Sequence, residues 1–197
     1  LANKDIWNSE KTKDGMLWFG GGFRLNANGL TNYDGIDFRI LTTADGLIDN
    51  RIRCSAPSKL GGIWLGTDNG ISYYANTGRT STFTNFLPEV GLGTKHVLSI
   101  YESRDGILWC GGYMGEVGLS QYDPQGLKQY KVINELGRKL EKQRVNWILE
   151  TDDLHILFAT TKGIAHYWKG EVINRFSVDK EILQLFQSKD GSIWVFS

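Results

Sequence analysis

An all-β propeller built of four-stranded antiparallel blades is the fold class this sequence predicts. Three observations carry it: a recurring tryptophan-bearing strand, copies separated by the length of a blade, and a composition rich in glycine and aromatic β-formers. The clearest copy reads Gly62-Ile63-Trp64-Leu65-Gly66-Thr67-Asp68-Asn69-Gly70-Ile71-Ser72-Tyr73-Tyr74, an apolar strand, a glycine turn and a second apolar strand. Related runs occupy residues 14–20, 105–111 and 190–196, and a degenerate copy at 153–167 places Leu157 where the others carry Trp. Trp18, Trp64, Trp109, Leu157 and Trp194 stand about 46, 45, 48 and 37 residues apart, a spacing that suits propeller blades. Short β-rich bursts cut by Gly, Asp or Asn exclude helical repeats.

Each element of a blade has a physical reason. Asp before Gly makes the turn between the first two strands, the carboxylate accepting backbone N–H groups and the Gly taking positive φ. Asp14, Asp105, Asp153 and Asp190 are therefore read as turn residues. The Trp that follows supplies a large apolar surface against the next sheet. Four strands fit one unit: an inner strand at 97–101, the Trp strand, a third at 119–122 and an outer one at 129–133. A lone blade cannot bury both of its faces, so stacking about an axis must supply the stability.

The predicted organisation is one partial propeller over residues 1–197, with blades at about 1–46, 47–94, 95–143 and 144–179 and half a blade at 180–197. Residues 1–6 align with the linker at 47–52 and the chain stops in a second strand, which predicts a segment of a larger propeller, or self-association through the open edge. Leu154 and Leu157 replace Gly and Trp in the fourth unit, so that blade is expected to be thin or irregular. Residues 134–144 are charged and poor in β-formers, and read as a projecting loop or one short helical turn.

Bulk properties remove several functions. Lys plus Arg and Asp plus Glu number 22 each, so no net field draws nucleic acid or an anionic membrane to the protein. With 41% hydrophobic residues the chain can bury a core, and no apolar run is long enough to cross a bilayer. Cys54 and Cys110 are too few for a disulfide framework and read as buried thiols. No metal or cofactor site is predicted: His96, His155 and His166 form no ligand pair on one strand, and nucleophile-elbow, phosphate-loop and zinc motifs are absent. His155 and His166 are read as structural.

The turn, Trp strand, Gly-aromatic strand and Gly-Leu linker recur in one order, and the linker appears as Asp45-Gly46-Leu47-Ile48-Asp49-Asn50-Arg51-Ile52. This pattern resembles the two-component regulator propeller repeat over essentially the whole chain. The resemblance implies the non-catalytic periplasmic or extracellular input domain of a sensor histidine kinase, in some systems detecting carbohydrates, with any kinase domain outside this segment. Loops leading into the inner strands are the places to seek a ligand, because propellers gather them around one funnel. They carry Asn50, Arg51, Lys95, His96, Arg144, Asn146 and Trp147. Arg and Asn suit carboxylates or hydroxyls, and Trp147 suits the face of a sugar. Asn50 also has a plainer role open to it, tying linker backbone together. The longer turn at 112–118 is a second candidate. Expected partners are a small-molecule or oligosaccharide ligand and the remaining blades or another copy of the chain; the segment is expected to touch neither nucleic acid nor membrane. A protein-interaction propeller and a propeller lyase or glycosidase are the alternatives.

Overall fold

A computed structural model of the protein describes residues 5–22, 28–76, 81–87, 92–113, 118–123, 131–132, 140, 143–177 and 180–197. Of the loop expected at 134–144, residues 134–139, 141 and 142 lie outside them. Among the described residues, eighteen strands form four four-stranded antiparallel sheets and one two-stranded sheet. The first sheet holds β1 (Ile6–Lys11), β2 (Leu17–Gly21), β3 (Leu30–Tyr33) and β4 (Phe38–Leu41). In the second are β5 (Ile52–Pro57), β6 (Ile63–Thr67), β7 (Gly70–Asn76) and β8 (Ser81–Phe86), and in the third β9 (Val97–Glu102), β10 (Leu108–Gly112), β11 (Leu119–Tyr122) and β12 (Lys131–Val132). The fourth comprises β13 (Val145–Glu150), β14 (Ile156–Thr160), β15 (Gly163–Trp168) and β16 (Glu171–Ser177), and the fifth β17 (Gln184–Gln187) and β18 (Ile193–Phe196). Strands pair in chain order, and the successive first strands β1, β5, β9, β13 and β17 lie beside one another. That is a propeller, with the first strands inside. The fourth sheet is no thinner than its neighbours: Ile156–Thr160 is buried throughout, so Leu157 keeps the apolar alternation that a strand needs without the tryptophan.

The repeated aromatic residues form the seams between sheets. Trp18 meets Tyr74 of the second sheet edge to face at 5.1 Å, Trp64 meets Tyr122 of the third at 6.3 Å, and Trp109 meets Tyr167 of the fourth at 5.0 Å. Such a pair contributes about 0.5–1.5 kcal/mol beyond the burial of area. Trp18, Trp64 and Trp109 are buried, whereas Trp194 is exposed. The glycine two residues after the Trp, within the same strand, lets the next sheet come close: a Cβ on Gly66 would stand 2.4 Å from Cys54 Sγ and 2.7 Å from Val97 Cγ1. Gly20 and Gly111 face Ile52 and Val145 in the same way.

Polar groups tie the same seams at both ends. Where the inner strands begin, Asn8 Nδ2 donates to the Ile52 carbonyl, Cys54 Sγ to that of Val97 and Ser99 Oγ to that of Val145. In the fourth sheet this position is Trp147, and Asn146 takes over the bond, donating to the Ile182 carbonyl at 2.8 Å. At the opposite end, Glu102 accepts the Lys59 N–H, Glu150 the Arg104 N–H and Gln187 the Asp152 N–H.

The Asp-Gly turns have one construction. Thr12, Ser103, Thr151 and Ser188 donate their hydroxyls to Asp14, Asp105, Asp153 and Asp190. The second residue of the turn has positive φ, near 87° at Gly15 and 88° at Gly106. Leu154 holds that conformation in the fourth sheet with φ 66°, and Lys169 in the β15–β16 turn has φ 47°. A side chain there costs about 1–2 kcal/mol per residue. Cys54 and Cys110 are unpaired thiols pushed upward in pKa by burial, which keeps them protonated and inert.

Candidate functional site at the mouth of the inner strands

Four inner strands share an irregularity. The register shifts between Ile6 and Asn8, between Ile52 and Cys54, where Val97 and Ser99 face Gly112 and Gly111, and between Val145 and Trp147. A bulge re-aims the extra residue, here Trp7, Arg53, Leu98 and Asn146. Together with the residues that precede each strand and the β6–β7 turn, they form the mouth of the propeller.

Two cation-centred clusters stand there. Arg51 Nη1 and Arg53 Nε donate to Asp68 at 2.9 and 2.6 Å, and Arg53 also lies 5.1 Å over the Trp7 ring of the first sheet. Burial by itself would raise the Asp68 carboxyl, yet the hydrogen bonds from Arg53 and Arg51 hold it below the usual carboxylate range. In the second cluster Arg144 Nη2 donates to Glu181 at 2.5 Å and its guanidinium lies 5.7 Å over the Tyr113 ring. Asn146 Nδ2 reaches the same Glu181 oxygen at 2.9 Å, and Arg144 Nε is buried with no hydrogen-bond partner among the described residues. His96 stands 6.2 Å from Tyr113. Three guanidinium groups thus share two carboxylates, an arrangement that accepts a further carboxylate or several hydroxyls by exchange of partners.

The residues singled out in the sequence divide. Arg51, Arg144 and Asn146 belong to these clusters, and His96 stands beside the second. Asn50 is a linker tie: its Oδ1 accepts the Thr43 N–H at 2.9 Å. Lys95 contributes a backbone carbonyl to Gly70 N–H at 2.8 Å. Trp147 is 39% exposed and, among the described residues, packs on no other ring. Sequence reasoning missed Trp7, Arg53, Asp68 and Glu181. Glu181 was within reach, since it precedes buried Ile182 as Arg51 precedes Ile52; Arg53 was not, because only the bulge turns it to the mouth. Tyr113 lies in the long turn named as the second candidate, of which 114–117 fall outside the described residues. His155 and His166, read as structural, meet across two strands: β14–β15 pairing brings His155 Nδ1 to 2.5 Å from His166 Nε2. Among the described residues no three metal-ligating groups converge.

Residues 91–114, spanning the start of the third sheet, match the family model described as two component regulator propeller. The match covers the length of a single repeat. Such propellers are also what it resembles in three dimensions. The extracellular domain of BT4673 from B. thetaiotaomicron, described both as a one component and as a hybrid two component system, superimposes with TM-score 0.76 at 21% identity over 97% of this chain and 26% of that one. The extracellular domain of the hybrid two component system BT3049 from the same organism gives 0.74 at 20% identity, over 96% and 26%. A virginiamycin B lyase from Staphylococcus aureus gives 0.70 at 14% identity, over 99% and 64%. The chain spans about a quarter of the length of the two B. thetaiotaomicron domains. No curated protein matches the sequence. Among the described residues no helix is long and apolar enough to cross a membrane.

Proposed function

We propose that this propeller is a non-catalytic ligand-binding module and part of the extracytoplasmic input domain of a two-component sensor. The observation that carries it is the mouth, where Arg51, Arg53 and Arg144 share two carboxylates beside Trp7 and Tyr113. The ligand that fits offers carboxylates or hydroxyls along with a face for stacking, as an oligosaccharide does. Binding has a route to the rest of the protein. Glu181 belongs to the approach to β17, so a ligand that takes Arg144 from Glu181 loosens the tie between the fourth and fifth sheets and shifts the balance of domain arrangements.

The test is isothermal titration and thermal shift of the intact protein against acidic and neutral oligosaccharides. Saturable binding that falls at least tenfold in Arg144→Ala and Arg53→Ala supports the reading. A protein partner that co-purifies, with every saccharide inert, replaces it with an interaction module; turnover of a saccharide replaces it with an enzyme.

A further inference from the structure

At the end of the propeller opposite the mouth, a cleft of about 490 Å³ opens between the third and fourth sheets, its walls including Arg104, Leu154, Ile156, Tyr167, Trp168 and Lys169. We propose that it binds a small amphipathic anion, an aryl or short alkyl carboxylate. This is independent of the saccharide reading of the mouth.

Backbone strain is the first argument. Leu154 and Lys169 are the non-glycine residues with positive φ among the described residues, and both line this cleft. The equivalent of Leu154 is glycine in every other sheet, at Gly15, Gly61, Gly106 and Gly191. Lys169 and Gly170 are the two central residues of a hairpin turn with positive φ at both, a place that favours Asn, Asp or Gly. Strain of this kind persists where the side chain is wanted. The fourth sheet therefore departs from its repeat where an apolar wall and a cation are gained.

Chemistry is the second argument. Trp168 follows the repeated tyrosine, where the other sheets have Asp34, Ala75 and Asp123, so the indole is particular to this cleft. His155 stacks on it at 5.2 Å and fixes its plane. The Lys169 ammonium lies 4.2 Å over the indole and, among the described residues, forms no ion pair. The other charges are engaged. Arg104 bonds Asp152, Glu150 accepts from Tyr101 and the Arg104 N–H, and Asp105 accepts from Ser103. Of the two cations in the wall, Arg104 and Lys169, Lys169 is the one without a carboxylate partner among the described residues, so an anion's counterion stands at the rim beside it and the body of the ligand lies along Leu154, Ile156 and Trp168.

The probes are 4-phenylbutyrate and its neutral amide, titrated into the intact protein and followed by saturation-transfer NMR and calorimetry. The carboxylate is expected to bind at least fivefold tighter than the amide, and Lys169→Gln to erase that preference. Leu154→Gly relieves the backbone, so it should raise Tm by about 2–4 °C while weakening phenylbutyrate at least fivefold. The proposal is overturned by the absence of saturable binding, by a stabilised Leu154→Gly protein that binds as before, or by a preference that survives Lys169→Gln.

Discussion

Between the second and third sheets the seam is tied by a carboxylate that the seam between the first and second lacks. Glu102 is buried at the end of β9 and accepts both the Trp64 indole N–H, at 2.7 Å, and the Lys59 N–H, at 3.1 Å. The same register position on β5 is Pro57, opposite Ile63 as Glu102 is opposite Leu108. There the Trp18 indole turns to Thr12 of its own sheet at 2.9 Å. Both seams keep the edge-to-face Trp–Tyr contact. The apolar wedge is thus common to the repeat, while the polar latch depends on one residue at the end of an inner strand.

Truncating the wedge should have the largest effect. Trp64→Ala is expected to cost about 3–5 kcal/mol in urea unfolding, and more than Trp18→Ala, because it also strips a donor from the buried Glu102. Equal losses at the two tryptophans would show that the carboxylate adds nothing to the second seam. Glu102→Ala comes next, at about 2–4 kcal/mol, since it leaves the buried Trp64 indole N–H unpaired and takes the acceptor from the Lys59 N–H. Pro57→Ala should change stability little, and Glu102→Gln should recover most of the loss. A Gln variant as unstable as the Ala variant would assign the effect to packing and break the comparison. The smallest effect lies at the mouth of the second sheet. The folded pKa of Asp68 is depressed, so its contribution is present above the unfolded value of about 3.9 and disappears as pH falls through the folded one. Asp68→Asn should therefore flatten the acid limb of the stability profile below about pH 4, an outcome read from thermal melts across pH.

Much of the fold was legible because its determinants are local. Trp64 sits between Gly62 and Gly66 in a stretch that reads as strand and turn within a few residues, and Asp14, Asp105, Asp153 and Asp190 announce their turns beside their own hydroxyl partners. The site was less legible. Arg144 and Asn146 were found because they lie just before an inner strand or at its start, but Arg53 needed a bulge and Asp68 a different turn. Asn50 satisfies the plain role that its linker offered, holding Thr43. The His155–His166 contact was missed because each looks ordinary alone; antiparallel pairing of β14 with β15 brings them together.

The amino-acid order alone determined that the chain makes short strands in repeated groups, since alternation, turn residues and spacing act within a blade and need no distant partner. Which groups meet across blades was decided in three dimensions. Glu102 reaches Trp64 over 38 residues and Arg144 reaches Glu181 over 37, and the rotation of one sheet on the next sets such distances. That rotation follows from how tightly Gly66 lets Val97 approach and how Trp64 seats against Tyr122, which are packing properties of the assembled propeller.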